Sequence, residues 1–378
     1  MQTVYFDNAA TTPIDEEVID VITKTMRDVY GNPSSTHQFG RKSKALVEKA
    51  RKNIAKMLNC TATEIVFTAG GSEADNLILH NAISNLGVKR IVTSKIEHHA
   101  VLHTVKALKK EFSIKVDYVA LDKYGEVDYT DLNSILQKSE QKTLVSLMLV
   151  NNEIGNILDA DKVCVICKEN NALFHSDVVQ GVAHLPINLQ KTPIDFIAVS
   201  AHKYHGPKGV GFAYFKKGFG IKPLLIGGEQ ERGARAGTEN VHNIVGMEKA
   251  LTIGIDNFSK ENIYITGLKQ YFISQMQIHF PDIKFNGNSS HQEKSVSHII
   301  NVLFPKEFPM FLFHLDLKGI AASGGSACQS GSNKGSHVLN TILSDDDSLK
   351  TSVRFSFSKY NTKKEIDYLI DVTKGILS

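Results

Sequence analysis

Short apolar runs alternate with longer amphipathic stretches along most of the chain. Residues Glu64–Thr68 and Arg90–Ser94 have the apolar, β-branched character of strands, and a helical pattern follows each of them. Further runs of strand character are IKVDYV, TLVSLMLV, ALFHS, FIAVS and GVGFAYF. Because strands that alternate with helices are typical of a mainly parallel sheet with helices on both faces, we expect an α/β fold.

Two helices are predicted near the N-terminus. The dipeptide Thr12-Pro13 has the form of an N-cap followed by proline at the first helical position. The helix after it should bury an apolar face formed by Val18, Ile22 and Met26. A second helix should begin near His37.

The pattern changes beyond about residue 257, where helices and shorter strands mix around the turn-rich segment FNGNSSHQEKS. A length of 378 residues suits two domains of roughly 100–200 residues each. We therefore expect a large domain over residues 15–256 and a smaller α+β domain formed by residues 1–14 and 257–378.

Charge and composition argue against several classes of function. Lys and Arg number 43 against 40 Asp and Glu, and a net charge of +3 is too small to indicate nucleic-acid binding. The N-terminus lacks the features of a signal peptide, and the longest apolar stretch, Leu144–Val150, is too short to cross a bilayer. The chain's 4 cysteines do not indicate a disulfide framework. We expect a cytoplasmic protein that acts on neither nucleic acid nor membranes.

A polar loop follows each of five predicted strands. Ligands of parallel sheets bind just beyond the carboxyl ends of the strands, so these loops should share one rim. The loops are Gly70–Asn76, Glu97–His99, Asn151–Glu153, Asp177–Gln180 and Ser200–Lys203.

The rim carries the groups that pyridoxal phosphate requires. In TAGGSEADN, two glycines and a serine precede a helix that we expect to begin at Glu73. The backbone N–H groups at the start of such a helix form a binding site for one phosphate. The segment matches neither GxGxxG nor GxxxxGK[ST], which argues against NAD and nucleoside triphosphates. The amine of Lys203 could form a Schiff base, Asp177 could pair with the pyridine nitrogen, and His98 could stack on the ring.

These residues lie within runs that resemble the cysteine desulfurases of the NifS/IscS-like branch of the class V aminotransferase family. The runs extend in the family's order from Tyr5 to about Thr362. They are YFDNAATTP, GNPSSTHQFGR, FTAGGSEADN, EHHAV, VNNEIG, HSDVVQ, SAHKYHGPKGVG, GGEQERGARAGTEN, LDLKGIAASGGSACQSG, SHVL and VRFSFSKYNT. The resemblance implies the fold type I of pyridoxal-phosphate-dependent transferases, with a seven-stranded sheet in the large domain.

The resemblance also implies a role for each matching residue. Lys203 would hold the cofactor, and His98 would stack on it and assist proton transfers. Asp177 would pair with the pyridinium. The residues near the phenolic oxygen and the substrate would be Asn152 and Gln180. The phosphate would be bound by Gly71, Ser72, Ser200 and His202, and by Thr238 of the other subunit of a homodimer. Arg354 would bind the substrate carboxylate through its planar fork.

Cys328 lies in ASGGSACQSGSNKGS, a Gly- and Ser-rich segment without apolar periodicity, which we expect to be mobile. A thiol in such a segment suits a nucleophile that attacks the sulfur of L-cysteine, keeps it as a persulfide and delivers it to an acceptor. The acceptor would serve iron–sulfur cluster assembly or tRNA thiolation. The alternatives are a selenocysteine lyase, an ordinary aminotransferase and a sulfur-relay protein without catalysis.

Two further pairs could suggest a metal or redox site. Cys164 and Cys167 form a C-x-x-C pair, but their apolar neighbours and helical spacing favour core packing. His99 and His103 are one helical turn apart, with no third ligand apparent in the sequence. We expect no resident metal, and Cys328 is a candidate transient ligand of an iron–sulfur cluster.

Overall fold

The computed structural model describes residues 2–324 and 335–377, and Cys328 lies outside these ranges. The strands are β1 (Val4–Tyr5), β2 (Ile65–Thr68), β3 (Arg90–Thr93), β4 (Lys115–Tyr118), β5 (Thr143–Ser146), β6 (Leu173–Asp177), β7 (Phe196–Ser200), β8 (Gly211–Phe215), β9 (Lys284–Phe285), β10 (Ile299–Leu303), β11 (Ile320–Ala321) and β12 (Ser352–Ser356). The helices are α1 (Glu16–Asp28), α2 (Gln38–Met57), α3 (Gly71–Ser84), α4 (His99–Phe112), α5 (Tyr129–Gln137), α6 (Ala160–Glu169), α7 (Val241–Asp256), α8 (Phe258–His279), α9 (Phe311–Leu317), α10 (His337–Ile342), α11 (Asp345–Ser348) and α12 (Lys363–Leu377).

The central sheet has seven strands in the order β2-β8-β7-β6-β5-β3-β4. Strand β8 runs antiparallel to both of its neighbours, and the other pairs are parallel. The expected mainly parallel sheet is therefore confirmed. The carboxyl ends of β2, β3, β5, β6 and β7 meet at one rim, which places the five polar loops together.

Alternate residues of the central strands face two different apolar clusters. Ile65 and Phe67 of β2 belong to one cluster, whereas Val66 between them belongs to the other. The same alternation separates Val145 from Leu144 in β5. Because successive strand side chains point to opposite faces, an apolar residue at nearly every position lets helices pack on both sides of the sheet.

The first helix differs from the sequence prediction. Its N-cap is Asp15, whose carboxylate accepts from the N–H of Glu17. Thr12 instead bonds the Lys203 loop: its hydroxyl donates to the carbonyl of His202 and accepts from the N–H of His205. Of the predicted apolar face, Val18 is buried, but Met26 is 57% exposed. The second helix begins at Gln38, near His37 as predicted, and His37 is its N-cap.

A third apolar cluster lies outside the central sheet. It joins Val4 and Phe6 with residues of α8, β10, β12 and α12. Three strands of this part form an antiparallel sheet, β12-β10-β9, and β1 pairs in parallel with β11. Arg354 is one of the residues of β12, so this second sheet contributes to the functional site described below.

Cys164 and Cys167 lie on α6 and are buried within the large apolar cluster, which confirms their assignment to the core. Burial raises the pKa of Cys164 to about 12 and also raises that of Cys167. Both therefore remain protonated thiols at neutral pH. No helix within residues 2–324 and 335–377 is long and apolar enough to cross a membrane.

Lys269 is a buried lysine on α8, and its ammonium donates to Ser295 Oγ at 2.9 Å and to the carbonyl of Val296 at 2.7 Å. Burial lowers its pKa to about 7. In the unfolded chain the pKa returns to about 10.4. Between pH 7 and 10 the unfolded state therefore binds more protons, and the free energy of unfolding should rise with pH.

We expect the Lys269→Met variant to lose this rise. The free energy of unfolding of the wild type, measured relative to that of the variant, should increase by up to about 1.4 kcal/mol per pH unit above pH 7. Urea unfolding at pH 7, 8 and 9 measures the difference. A difference that stays constant with pH would contradict the lowered pKa.

Candidate active site

A cavity of about 590 Å³ lies at the carboxyl rim of the central sheet. All five predicted loops supply lining residues, together with the N-terminal segment and β12. The predicted site residues that line it are Gly71, Ser72, His98, Asn152, Asp177, Gln180, Ser200, His202, Lys203 and Arg354. Thr238 is exposed and is not among these lining residues.

The turn between β2 and α3 requires glycine at two positions. Gly70 has a φ of 152°, which favours glycine, and α3 begins at Gly71 rather than at the predicted Glu73. A Cβ on Gly71 would lie 2.7 Å from Val179 Cγ2, so a side chain has no room there. Ser200 and His202 line the same part of the cavity. The first N–H groups of α3, the helix dipole and the Ser200 hydroxyl together suit one phosphate.

Lys203 ends a short 3₁₀ turn that follows β7. Its ammonium donates to the carbonyls of Ala9 and Ala10, at 2.8 Å each. The N-terminal segment that supplies these carbonyls is tied back to the turn through Thr12. The amine is therefore held inside the cavity by two fixed acceptors rather than extended into water.

His98 is the N-cap of α4, and its Nδ1 accepts from the N–H of Ala100 at 3.1 Å. Since Nδ1 accepts, the proton of the neutral ring is on Nε2. Burial, reinforced by the nearby Lys203 ammonium, lowers the pKa of His98 to about 4. The ring is therefore neutral at physiological pH and able to donate from Nε2.

Asp177 ends β6, and its carboxylate accepts from the N–H of Val179 at 2.9 Å. Burial raises its pKa to about 6, although this hydrogen bond and the Lys203 charge act in the opposite direction. A positively charged ring nitrogen beside it would favour its ionised form. The arrangement thus suits a partner of a pyridinium.

Asp75 is a cavity residue that the sequence reasoning did not assign. Its carboxyl lies 3.3 Å from His175 Nε2, and His175 Nδ1 lies 2.9 Å from Ser146 Oγ. Burial and the neighbouring carboxyls of Asp177 and Glu97 raise its pKa. The only sequence signal was its place one helical turn after Gly71, within the quoted TAGGSEADN run.

Arg354 is buried on β12 and points a guanidinium at the cavity. Its Nη1 donates to the carbonyl of Asn152 at 2.7 Å, and its Nη2 donates to Asp7 Oδ1 at 2.8 Å. Nε has no hydrogen-bond partner within the described part of the chain. Such a fixed fork can receive a carboxylate.

Gln180 lies at the back of the cavity, where its Nε2 donates to the carbonyl of Ala9 at 2.8 Å. The same carbonyl accepts from Lys203. The carboxamide oxygen of Gln180 lies 3.4 Å from His298 Nε2. His298 was not singled out from the sequence, since it lies outside the motifs that carry the family resemblance.

The ring of His99 stacks on that of His103, with centroids 4.7 Å apart, and also lies 4.4 Å from that of His337. Within residues 2–324 and 335–377, no group of three His, Cys, Asp or Glu side chains is placed to hold a metal ion.

Residues 4–369 match the family model for class-V aminotransferases. The chain belongs to the class V aminotransferase family. A Dictyoglomus turgidum protein named cysteine desulfurase IscS is 41% identical to it over 99% of this chain and 94% of that protein. The family resemblance inferred from the motifs is therefore confirmed.

Solved structures agree with this assignment. A NifS-like protein has a TM-score of 0.91 and 35% identity, covering 100% of this chain and 99% of its own. A structure described as SspA in complex with cysteine has a TM-score of 0.81 and 29% identity, covering 95% of this chain and 100% of its own. The fold type I of pyridoxal-phosphate-dependent transferases is thus confirmed, and class V aminotransferases as a family use that cofactor.

Proposed function

We propose that the chain is a pyridoxal-phosphate-dependent cysteine desulfurase, which converts L-cysteine to L-alanine and transfers the sulfur to an acceptor. The observation that carries this proposal is the Lys203 amine in one cavity with the α3 N-terminus, Asp177 and Arg354. These groups supply an amine, a phosphate site, a partner for a ring nitrogen and a receptor for a carboxylate. Full-length similarity to a named cysteine desulfurase supports the choice of substrate.

The cavity residues fit the cofactor. The first N–H groups of α3 would bind its phosphate together with Ser200 and His202. Asp177 would pair with the ring nitrogen, and the neutral ring of His98 would stack on the ring face. When bound, the cofactor withdraws electrons from the α-carbon of an amino acid and so acidifies the proton there.

Lys203 would hold the cofactor covalently until the substrate amine displaces it, and its free Nζ would then take the α-proton. The carbonyls of Ala9 and Ala10 hold Nζ at the cavity, which supports this role. Arg354 would bind the substrate carboxylate. Asn152 and Gln180 would lie beside the phenolic oxygen and the substrate.

The Cys328 thiolate would attack the substrate sulfur. A new S–S bond would form as the bond between Cβ and sulfur breaks, its electron pair would stay with the carbon fragment, and protonation of that fragment would give L-alanine. The persulfide would remain on Cys328. Two contacts of the described residues before and after Cys328 support access of its thiol to the cavity. Ser323 pairs with the backbone of Arg354, and His337 Nε2 lies 2.9 Å from the carbonyl of Glu97.

The protein would act as a homodimer in which Thr238 of each subunit reaches the phosphate bound by the other. The exposure of Thr238 supports this arrangement. The sulfur acceptor would be a scaffold or carrier protein for iron–sulfur cluster assembly or tRNA thiolation. It would dock around the Cys328 segment and α12.

We also propose the division into a large domain over residues 15–256 and a small domain formed by residues 1–14 and 257–378. The third apolar cluster supports it, because its fully buried members come from residues 4–6 and 265–370. The cavity would then lie where Arg354 of the small domain faces Lys203 of the large one.

The Arg354→Lys variant should raise the KM for L-cysteine about 10- to 100-fold, because lysine keeps the charge but loses the fork that binds a carboxylate. The value of kcat should change much less. Steady-state alanine formation gives both constants, with Arg232→Lys as a control at an exposed arginine. An unchanged KM would show that Arg354 does not bind the substrate carboxylate.

A further inference from the structure

Two histidines lie directly behind the cavity, on the side of Gln180 and Lys203. The rings of His184 and His298 are stacked, with centroids 3.9 Å apart and an angle of 25° between their planes. His298 is buried and immediately precedes β10, and His184 follows β6 by seven residues. The stack therefore connects the segment that follows β6 of the central sheet to the start of β10 in the second sheet.

Each ring makes one hydrogen bond to a different site residue. His184 Nε2 lies 3.1 Å from the carbonyl of Lys203, and a carbonyl only accepts, so Nε2 donates. His298 Nε2 lies 3.4 Å from Gln180 Oε1. Because Gln180 Nε2 already donates to Ala9, the amide oxygen faces His298, and His298 Nε2 also donates.

These contacts form a closed loop. His298 donates to Gln180, Gln180 donates to the Ala9 carbonyl, and the same carbonyl accepts from the Lys203 amine. His184 bonds the Lys203 backbone and stacks on His298. Both ends of Lys203, its carbonyl and its Nζ, are thus connected through the histidine pair.

The surroundings keep the pair neutral. Burial lowers the pKa of His298 well below its ordinary value and also lowers that of His184. A neutral imidazole has one donor and one acceptor, so its donor bond has a fixed direction. The titratable groups around the pair are Asp15, Lys203, Tyr204, His205, Glu261, Lys269, Arg354 and Lys359.

We propose that His298 is a positioning residue that fixes the orientation of the Gln180 carboxamide, and that His184 holds both His298 and the Lys203 backbone in place. The inference rests on the proposed function, in which Gln180 lies beside the phenolic oxygen of the cofactor. Without the His298 donor, the carboxamide oxygen loses its partner, and the bond from Nε2 to the Ala9 carbonyl alone holds the carboxamide. The carboxamide can then turn about that one contact. The pair acts through Gln180 and Lys203 and does not touch the substrate.

The test compares the holoenzymes of the wild type, His298→Leu and His298→Gln. Glutamine places an N–H at about the reach of Nε2, whereas leucine has no donor. Two readouts are needed: the pH midpoint of the visible absorption change of the bound cofactor, and the rate at which the cofactor dissociates. His279→Leu, at the exposed end of α8, is the control.

For His298→Leu we expect the pH midpoint to shift by about 0.5 pH unit or more. We also expect the cofactor to dissociate about 2- to 10-fold faster. Both effects have the size that loss of one hydrogen bond between neutral groups produces. His298→Gln should restore wild-type values, and His279→Leu should not change them. If His298→Leu is recovered unfolded, His298→Asn replaces it, since its amide is too short to reach Gln180, and the same shift is expected.

Wild-type values for the variant that lacks the donor would overturn the inference. Equal shifts in the leucine and glutamine variants would also overturn it, because they would indicate packing rather than a directed hydrogen bond. A wild-type protein that takes up no pyridoxal phosphate would overturn the proposed function, and the inference with it. The wild-type spectrum therefore separates the two failures.

Discussion

Replacement of Lys203 by alanine should reduce alanine formation from L-cysteine by about 10³-fold or more, since general-base catalysis alone contributes roughly 10²- to 10⁴-fold. The residue would hold the cofactor and also move the α-proton. The geometry supports both roles, because the Ala9 and Ala10 carbonyls hold Nζ inside the cavity. Borohydride reduction followed by peptide mass spectrometry should find the cofactor attached at residue 203 of the wild type only.

Lys217→Ala is the matched control for this experiment. Lys217 is exposed and follows β8, which runs opposite to the other strands and so ends at the far side of the sheet. We expect wild-type activity and labelling from this variant. If Lys203→Ala retained a reducible adduct and substantial activity, another amine would carry the cofactor, and the site would have to be reassigned.

Replacement of Cys328 by alanine should lower alanine formation from L-cysteine by roughly 10²-fold or more, because the nucleophile of the sulfur-transfer step is lost. The cofactor should still bind, and its absorption should still change when L-cysteine is added. The wild type, incubated with L-cysteine in the absence of a reducing thiol, should carry one additional sulfur atom on Cys328, which intact-protein mass spectrometry detects.

Cys60→Ala is the control, since burial raises the pKa of the Cys60 thiol to about 12 and so disfavours the reactive thiolate. It should behave as the wild type. Equal alanine formation by the Cys328→Ala variant and the wild type would show that the chain releases sulfide without this thiol. A lyase mechanism would then explain the chemistry better.

The rim of the sheet could be predicted because its determinants are local. Each of these strands is four or five residues long and contains a short apolar run, and the polar loop follows at once. The strand pairing therefore brings Asp177, Ser200 and the Gly70–Gly71 turn to one rim. Lys203 follows from the same argument, since it lies three residues after β7. No long-range contact had to be guessed for these residues.

The N-cap of the first helix and the burial of Met26 were predicted wrongly, each for a physical reason. Thr12 has the side chain of an N-cap, but its hydroxyl is used by the Lys203 loop, about 190 residues further along the chain. The positions of Val18 and Met26 are eight residues apart, and at 100° per residue they diverge by about 80° around the helix. Thr25, about 20° from Val18, is buried instead.

The networks behind the cavity could not be predicted from local sequence. His298 meets Gln180 across 118 residues, and His175 meets Ser146 across 29 residues. A lone histidine in a sequence gives no indication of its partner or its tautomer. These contacts follow from how the second sheet and the N-terminal segment pack on the rim.

The most direct test of the account is the reaction of the wild-type holoenzyme with L-cysteine and a reducing thiol. We predict that L-alanine and sulfide form in equal amounts when no α-keto acid has been added. The rate of alanine formation from L-cysteine should be comparable to or higher than the rate from L-selenocysteine. Alanine from L-selenocysteine alone would identify a selenocysteine lyase. Amino transfer that requires an α-keto acid, or no product from either substrate, would contradict the assignment as a cysteine desulfurase.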